Sequence, residues 1–213
     1  MSNRCLVIGG SHAAAQLVIS LRQEGWEGEI TVISDENYLP YHRPPLSKDF
    51  LLGQKVEQDL LIRPETMYEK NNVTFRLEQR VDKINRSEKN VVLQSGEKID
   101  YEKLVICTGS RVRKVNLPGV ELKGINYLRT IADINTIKAD TGAGKNAVIV
   151  GGGYIGLETA AVLKKLGMNV TVLEMAPRIL ARVTAPEMSE FYSRIHAEEG
   201  VVIKTGVVVS GFS

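Results

Sequence analysis

Cysteine and histidine are both scarce in this chain, and neither occurs in a spacing that binds metal. The two cysteines, Cys5 and Cys107, each lie in an apolar, strand-like run, and there is no CxxC pair or wider disulfide pattern. We therefore predict two small buried side chains rather than a redox pair. The three histidines, at positions 12, 42 and 196, are scattered singly, so no metal site is predicted.

An excess of one charge and a long apolar run are also absent. Lysine and arginine number 27 against 25 aspartates and glutamates, and no basic run is interleaved with aromatic residues, so no nucleic-acid partner is predicted. No apolar segment approaches the length of a membrane span, and the amino terminus lacks the pattern of a signal peptide. A composition of 43% hydrophobic and 24% charged residues predicts a globular, cytoplasmic protein with no membrane partner.

The most informative pattern that is present lies in residues 146–174, NAVIVGGGYIGLETAAVLKKLGMNVTVLE. Residues 147–150 form a short apolar run of the kind a buried parallel strand needs. Gly151, Gly153 and Gly156 follow in GxGxxG spacing. In that order they allow a tight turn, the approach of a pyrophosphate, and close packing of a helix on the strand.

The pattern continues as a helix and a second strand. Four residues then recur at helical spacing, namely Ile155, Thr159, Val162 and Leu166, and Gly167 is placed to end the helix. Residues 169–173 read as a strand that ends on Glu174, where an acid can bind a ribose hydroxyl and repel a 2′-phosphate. We predict an NAD-preferring Rossmann unit, with these cofactor-binding residues: Gly151, Gly152, Gly153, Tyr154, Ile155, Gly156 and Glu174.

The same strand–helix–strand pattern occurs near the amino terminus. Residues 4–8 and 29–33 read as strands, and a shift of 142 residues carries Gly9 onto Gly151 and Gly25 onto Gly167. The first copy has two extra residues before its second strand. Two dinucleotide sites in one chain imply two nucleotides, which usually means that electrons pass between them.

The first copy departs from the glycine pattern. Ser11 stands at the second glycine position and Ala14 at the third, where alanine is an accepted variant. The Ser11 side chain must point away from a pyrophosphate or hydrogen-bond to it, so a non-binding remnant is an alternative. The acid is displaced to Asp35 and Glu36, just past the strand.

A proline-rich loop follows in residues 38–48. Two adjacent prolines hold the backbone extended, and Arg43 and Lys48 flank them. A rigid loop with two cations suits an anionic planar cofactor. The alternative is a solvated turn with ordinary surface charges.

Three segments of the chain, YHRPPLSK, GGGYIGLE and PRILARVTAPEMSEFYSRIHAEEGV, resemble a known family. They are similar to the FAD-dependent ferredoxin–NAD(+) reductases of aromatic-ring dioxygenase and cytochrome P450 systems, with rubredoxin reductases and apoptosis-inducing factor as kin. The resemblance implies an α/β fold of two Rossmann-like units, an FAD-binding domain at residues 1–115 and an NAD-binding domain at residues 116–213. It covers about half of the family's architecture, so we expect both domains to be incomplete.

The resemblance also implies roles for residues outside the second repeat. Those expected to bind FAD are Gly9, Gly10, Ser11, His12, Ala13, Ala14, Asp35, Glu36, Arg43, Lys48, Val81, Thr108, Gly109 and Arg129. It places Lys48 and Glu158 near the flavin and nicotinamide rings as the catalytic pair. The bland alternatives are a core position for Val81, a surface charge for Arg129, and a first-turn helix acid for Glu158.

The function that these features predict is electron transfer from NADH through FAD to a small iron–sulfur protein. A ferredoxin is the expected acceptor, and rubredoxin remains open. A thiol–disulfide reductase would need a redox disulfide, which the sequence lacks. A non-catalytic nucleotide-binding protein is the alternative from another class. For the 213-residue chain itself we expect weak FAD binding, slow turnover and self-association.

Overall fold

The computed structural model describes residues 3–213, which form two compact units. Among the described residues, the first unit comprises residues 3–42 and 58–111, and the second comprises Arg43–Glu57 and Val112–Ser213. The segment Arg43–Glu57 thus packs with residues that are distant in sequence. None of the described helices is long and apolar enough to cross a membrane.

The first unit is built on a parallel sheet. Its elements are β1 (Arg4–Ile8), α1 (His12–Gln23), β2 (Glu29–Ile33), α2 (Glu65–Lys70), β3 (Val73–Arg76), β4 (Val81–Asn85), β5 (Asn90–Leu93), β6 (Lys98–Asp100) and β7 (Lys103–Ile106). The parallel strands lie in the order β3-β2-β1-β7, and β4-β5-β6 form a separate antiparallel sheet.

Alternate residues of β1 pack into different clusters. Cys5 and Val7 belong to the cluster that includes Val18 of α1, whereas Leu6 and Ile8 belong to a cluster with Val91 and other residues of the antiparallel sheet. Successive side chains of a strand point to opposite faces. A strand covered on both faces must be apolar throughout, which is why the run at residues 4–8 does not alternate.

The second unit repeats the arrangement with fewer strands. Its elements are α3 (Ile131–Asp140), β8 (Asn146–Val150), α4 (Tyr154–Lys165), β9 (Asn169–Glu174), α5 (Pro186–Glu198) and β10 (Val202–Thr205), together with a 3-10 helix at Pro44–Ser47. A further 3-10 helix, Glu57–Leu60, lies where the chain passes between the units. The parallel order β10-β9-β8 corresponds to β3-β2-β1. The predicted α/β architecture is therefore what the chain adopts.

The residues that recur at helical spacing in α4 are not all buried. Ile155 lies in the first turn of the helix and is 55% exposed. The buried face of the helix is formed instead by Leu157, Thr159, Ala160, Val162 and Leu163. Helical spacing alone does not show which of the recurring residues are buried, because residues in the first turn of a helix can be exposed.

Candidate nucleotide-binding sites

In the glycine turn of the second unit, each of the three glycines has a different structural role. Gly151 has a φ of +113°, a conformation that a residue with a side chain rarely adopts. At Gly153 an added Cβ would meet no atom within 4 Å, so the backbone faces open space. At Gly156 an added Cβ would lie 2.1 Å from the Gly151 carbonyl oxygen, because α4 passes directly over the turn.

Glu174 lies beside this turn with both carboxylate oxygens engaged. Oε2 accepts a hydrogen bond of 2.7 Å from the backbone N–H of Gly152, and Oε1 accepts one of 2.7 Å from that of Ala176. These two bonds hold the acid in one orientation at the carboxyl end of β9. Ligands of open α/β sheets bind outside this end of the strands.

The first turns of α1 and α4 are left without side-chain caps. The residues preceding them, Ser11 and Gly153, make no capping hydrogen bond. Of the other helices, α2 and α5 also begin without a side-chain cap, but not at a glycine turn, whereas α3 has a complete capping box in which Thr130 and Asp133 bond each other's backbone N–H groups. Uncapped N–H groups at a helix start are suited to bind a phosphate. The residues present therefore fit a dinucleotide at each glycine turn.

The side chain of Ser11 is bonded within the first unit. Its hydroxyl donates a hydrogen bond of 2.7 Å to the Cys107 carbonyl oxygen. Gly9 lies against the same carbonyl, since an added Cβ would come within 2.4 Å of it. Ala14, at the third glycine position, is completely buried. The turn thus rests on the end of β7.

The acids of the first unit do not occupy the position of Glu174. Ile8 pairs with Ile33 as Val150 pairs with Leu173, so the residue that corresponds to Glu174 is Ser34. Sequence analysis missed this residue, although the two extra residues in the first copy would have located it.

Asp35 and Glu36 both have partners within the first unit. Asp35 forms an ion pair of 3.1 Å with Arg111, and Glu36 accepts a hydrogen bond of 2.5 Å from the Tyr41 hydroxyl. The backbone N–H of Glu36 donates to the Ser34 hydroxyl at 3.3 Å. Glu36 is thus held within the loop after β2, and Asp35 is held by a residue that follows β7.

Several other predicted FAD ligands lie in the first unit. His12 begins α1, and its ring packs edge-on against that of His42 at 5.3 Å between centroids. Thr108 and Gly109 follow the end of β7. Val81 lies in β4 and packs against the cluster that contains Leu6 and Ile8, as its core alternative implied. Gly10 and Ala13 belong to the same turn and helix start as His12.

The predicted catalytic pair is in contact within the second unit. Lys48 Nζ lies 2.7 Å from Glu158 Oε2, and the Ser47 hydroxyl donates to the same oxygen at 2.6 Å. Sequence analysis missed Ser47. Arg43 donates a hydrogen bond of 2.8 Å to the Arg129 carbonyl, while Arg129 Nε is a buried donor without a partner.

The two cysteines are buried and unpaired, as predicted. Burial raises the pKa of both thiols above the usual value, which disfavours the reactive thiolate. No group of three or more histidine, cysteine or acidic side chains within residues 3–213 is arranged to hold a metal ion.

Two strand–helix–strand units, each with a glycine-rich turn at the carboxyl end of its first strand, define a protein with two dinucleotide-binding folds. The sequence profile of the pyridine nucleotide-disulphide oxidoreductases matches residues 3–213. The chain belongs to this family, and the predicted family resemblance is confirmed.

Ferredoxin reductases and rubredoxin reductases are among the relatives of this chain. The chain is 42% identical to the ferredoxin reductase subunit of 5,5′-dehydrodivanillate O-demethylase from Sphingobium sp. (strain NBRC 103272 / SYK-6), over 94% of this chain and 48% of that protein. It is 36% identical to a rubredoxin–NAD(+) reductase of Pseudomonas putida, over 93% of this chain and 52% of that protein.

A solved structure shows the same fold at high similarity. The reductase in the covalent putidaredoxin reductase–putidaredoxin complex superimposes with a TM-score of 0.92 at 38% identity, over 100% of this chain and 52% of that one. The chain thus spans about half the length of the relatives that it matches.

Proposed function

We propose that this chain provides the nucleotide-binding units of a flavoprotein reductase that transfers electrons from NADH to a small iron–sulfur protein. FAD is assigned to the glycine turn of the first unit and NADH to that of the second. The observation that carries the proposal is the repeated unit itself, in which both helices start uncapped at a glycine turn. Two nucleotide sites in one chain are the requirement of a flavin reductase that oxidises NADH.

The roles of the protein groups follow from their positions. The first-turn N–H groups of α1 and α4 bind the two pyrophosphates, and the carboxylate of Glu174 accepts a hydrogen bond from the ribose of NADH. Bound FAD supplies the conversion of a two-electron hydride transfer into single-electron steps. Lys48 and Glu158 orient the nucleotide rather than transfer a proton, since hydride transfer depends chiefly on orientation.

The proposed acceptor is a ferredoxin of an oxygenase system in the cytoplasm. Relatives named as ferredoxin reductases and as a rubredoxin reductase are both similar to this chain, so rubredoxin is the second candidate. A thiol relay is not part of the proposal. The two cysteines are buried, free thiols whose pKa values are raised by burial.

Anaerobic absorbance spectroscopy tests the proposal directly. The purified chain is incubated with FAD, freed of unbound cofactor, and titrated with NADH; we expect flavin absorbance that bleaches. Ferredoxins and rubredoxins are then added to the reduced protein, and reoxidation at rates set by acceptor concentration identifies the partner. A chain that binds NADH but acquires no flavin under any loading condition would instead be a nucleotide-binding protein without this activity.

A further inference from the structure

The carboxylate of Glu158 receives two donors on one oxygen. Ser47 Oγ lies 2.6 Å and Lys48 Nζ 2.7 Å from Oε2, whereas Oε1 accepts no hydrogen bond from the described residues. The two donors are consecutive in sequence and come from a segment that packs against α4. One carboxylate oxygen therefore has two donors, and the other has none among the described residues.

The segment that carries these donors is rigid for local reasons. Pro44 and Pro45 begin a 3-10 helix rather than the extended backbone predicted from the sequence, and their rings limit φ at two successive residues. The Lys48 N–H donates to the Pro45 carbonyl at 3.0 Å, and Leu46 is 1% exposed. The backbone beneath Ser47 thus has little freedom to shift.

The two contacts with Glu158 differ in character. The ion pair is partly exposed, with 45% of the Lys48 side chain and 31% of the Glu158 side chain accessible, and such pairs hold their geometry weakly. Ser47 is 4% exposed, and its short hydroxyl-to-carboxylate bond is directional and charge-assisted. Ser47 has a single rotatable bond to the hydroxyl, whereas the lysine has four.

We infer that Ser47 is a positioning residue for the Glu158–Lys48 pair. It holds Glu158 in the orientation in which Oε2 faces Lys48 and Oε1 remains available to the nucleotide. The role of the pair towards the nucleotide rests on the function proposed above, whereas the hydrogen bond between Ser47 and Glu158 is independent of it.

The test is the reactivity of Lys48 in the ligand-free chain. Wild type, Ser47→Ala and Ser47→Thr are treated with formaldehyde and a borohydride reagent, and methylation of each lysine is followed by peptide mass spectrometry. In Ser47→Ala we expect Lys48 to react about three- to tenfold faster, the equivalent of losing one hydrogen bond that holds its partner. Ser47→Thr keeps the hydroxyl and should restore slow modification.

Ser189→Ala is the matched control. Ser189 is also a buried serine of the second unit, 2% exposed, and its hydroxyl donates to the Ile179 carbonyl at 2.7 Å, without contact to Glu158. Its loss should leave Lys48 reactivity unchanged. If Ser47→Ala does not fold, Ser47→Cys gives the same comparison, because a thiol has similar shape but donates weakly.

A second readout links this geometry to the nucleotide. The dissociation constant of NADH should rise about three- to tenfold in Ser47→Ala and recover in Ser47→Thr. Equal Lys48 reactivity in wild type and a folded Ser47→Ala would overturn the inference. If wild type binds no NADH, the proposed function fails, and the methylation rates still decide whether Ser47 positions the pair.

Discussion

At the scale of single residues, Glu174 is the best placed to choose between nucleotides. Its carboxylate is fixed by the N–H groups of Gly152 and Ala176, so it cannot swing aside to admit a phosphate. We expect NADH to bind more tightly than NADPH by about 1–3 kcal/mol, because a 2′-phosphate would face a like charge and a ribose hydrogen bond would be lost. Titration of the chain with each nucleotide measures the difference.

Glu174→Gln should reduce that preference, since the amide is neutral and can accept only one of the two backbone hydrogen bonds. Glu187→Gln, an exposed change at the start of α5, is the control and should leave the preference intact. Equal affinity of wild type for NADH and NADPH would contradict the assignment of Glu174.

The cysteines provide a second prediction at this scale. Replacing Cys5 and Cys107 with serine should lower the free energy of unfolding by about 1–3 kcal/mol, because buried positions receive hydroxyl groups. Electron transfer to the acceptor should be unchanged in the folded fraction, measured by stopped-flow absorbance. Flavin reduction that persists while acceptor reduction disappears would reveal a thiol relay and refute the mechanism.

Tyr68 should make stability depend on alkaline pH. Its hydroxyl is buried without a hydrogen-bond partner, and burial raises its pKa to about 12. The unfolded chain ionises near pH 10, so the folded state loses stability as pH rises from about 10 towards 12, by at most about 2.7 kcal/mol. Burial also raises the pKa values of the two thiols, so their ionisation in the unfolded chain lowers the stability of the folded state further as pH rises.

Tyr68→Phe should remove much of this slope in urea unfolding measured between pH 9 and pH 12. At neutral pH it should change the free energy of unfolding by less than about 1 kcal/mol, because no hydrogen bond is lost. Tyr192→Phe, which alters a partly buried tyrosine of the second unit, should retain the wild-type slope. An unchanged slope in Tyr68→Phe would show that the hydroxyl is not the group responsible.

At the scale of elements, substitutions of Gly153 and Gly156, in the glycine turn and the first turn of α4, should have different effects. Gly156→Ala places a Cβ 2.1 Å from the Gly151 carbonyl, so α4 must move off β8, at a cost of about 1–3 kcal/mol. Gly153→Ala has open space and a φ of −83°, so the fold should survive with only a weaker helix start.

For NADH affinity we expect the opposite order, with the larger loss in Gly153→Ala. A methyl group at Gly153 points into the space where a pyrophosphate would approach the backbone, so NADH affinity should fall while thermal stability is nearly retained. Calorimetry and NADH titration of both variants separate the two roles. Wild-type NADH affinity in Gly153→Ala would show that the dinucleotide does not lie against this turn.

At the scale of the molecule, the edge of the second sheet should drive self-association. Among the described residues no strand pairs with β8 on the side away from β9, whereas β7 covers the equivalent edge of β1. The side chains of Val148 and Val150 are 63% and 52% exposed. An apolar strand edge of this kind pairs readily with another chain.

We expect sedimentation velocity to show dimers or larger species that grow with concentration. Val148→Lys should suppress them, because a charged side chain on an exposed edge strand opposes pairing with another chain. Val208→Lys, at a position 71% exposed and outside the strands, is the control and should not. A chain that sediments as a monomer throughout the micromolar range would show that the exposed edge is harmless.

Prediction from sequence was most accurate where local pattern and burial coincide. Residues 4–8 and 29–33 were predicted as strands with the limits that the structure has, because both are buried in a parallel sheet. In the run of residues 101–109, YEKLVICTG, the strand is limited to Lys103–Ile106, because only those residues pair with β1. An apolar run in the sequence indicates that a segment is buried, but hydrogen-bonded pairing with a neighbouring strand determines where the strand begins and ends.

The sequence by itself determined the repeated unit, the three glycine positions of its second copy and the acid that ends its second strand. Each of these depends on neighbours within a few residues, through φ preference, helical spacing or the end of a strand. Only the tertiary structure decided that Ser11 turns towards Cys107 and that Ser47 shares an oxygen of Glu158 with Lys48. The two serine hydrogen bonds join residues 96 and 111 positions apart in sequence, and no local preference predicts them, because they form only when the strands pair and the helices pack.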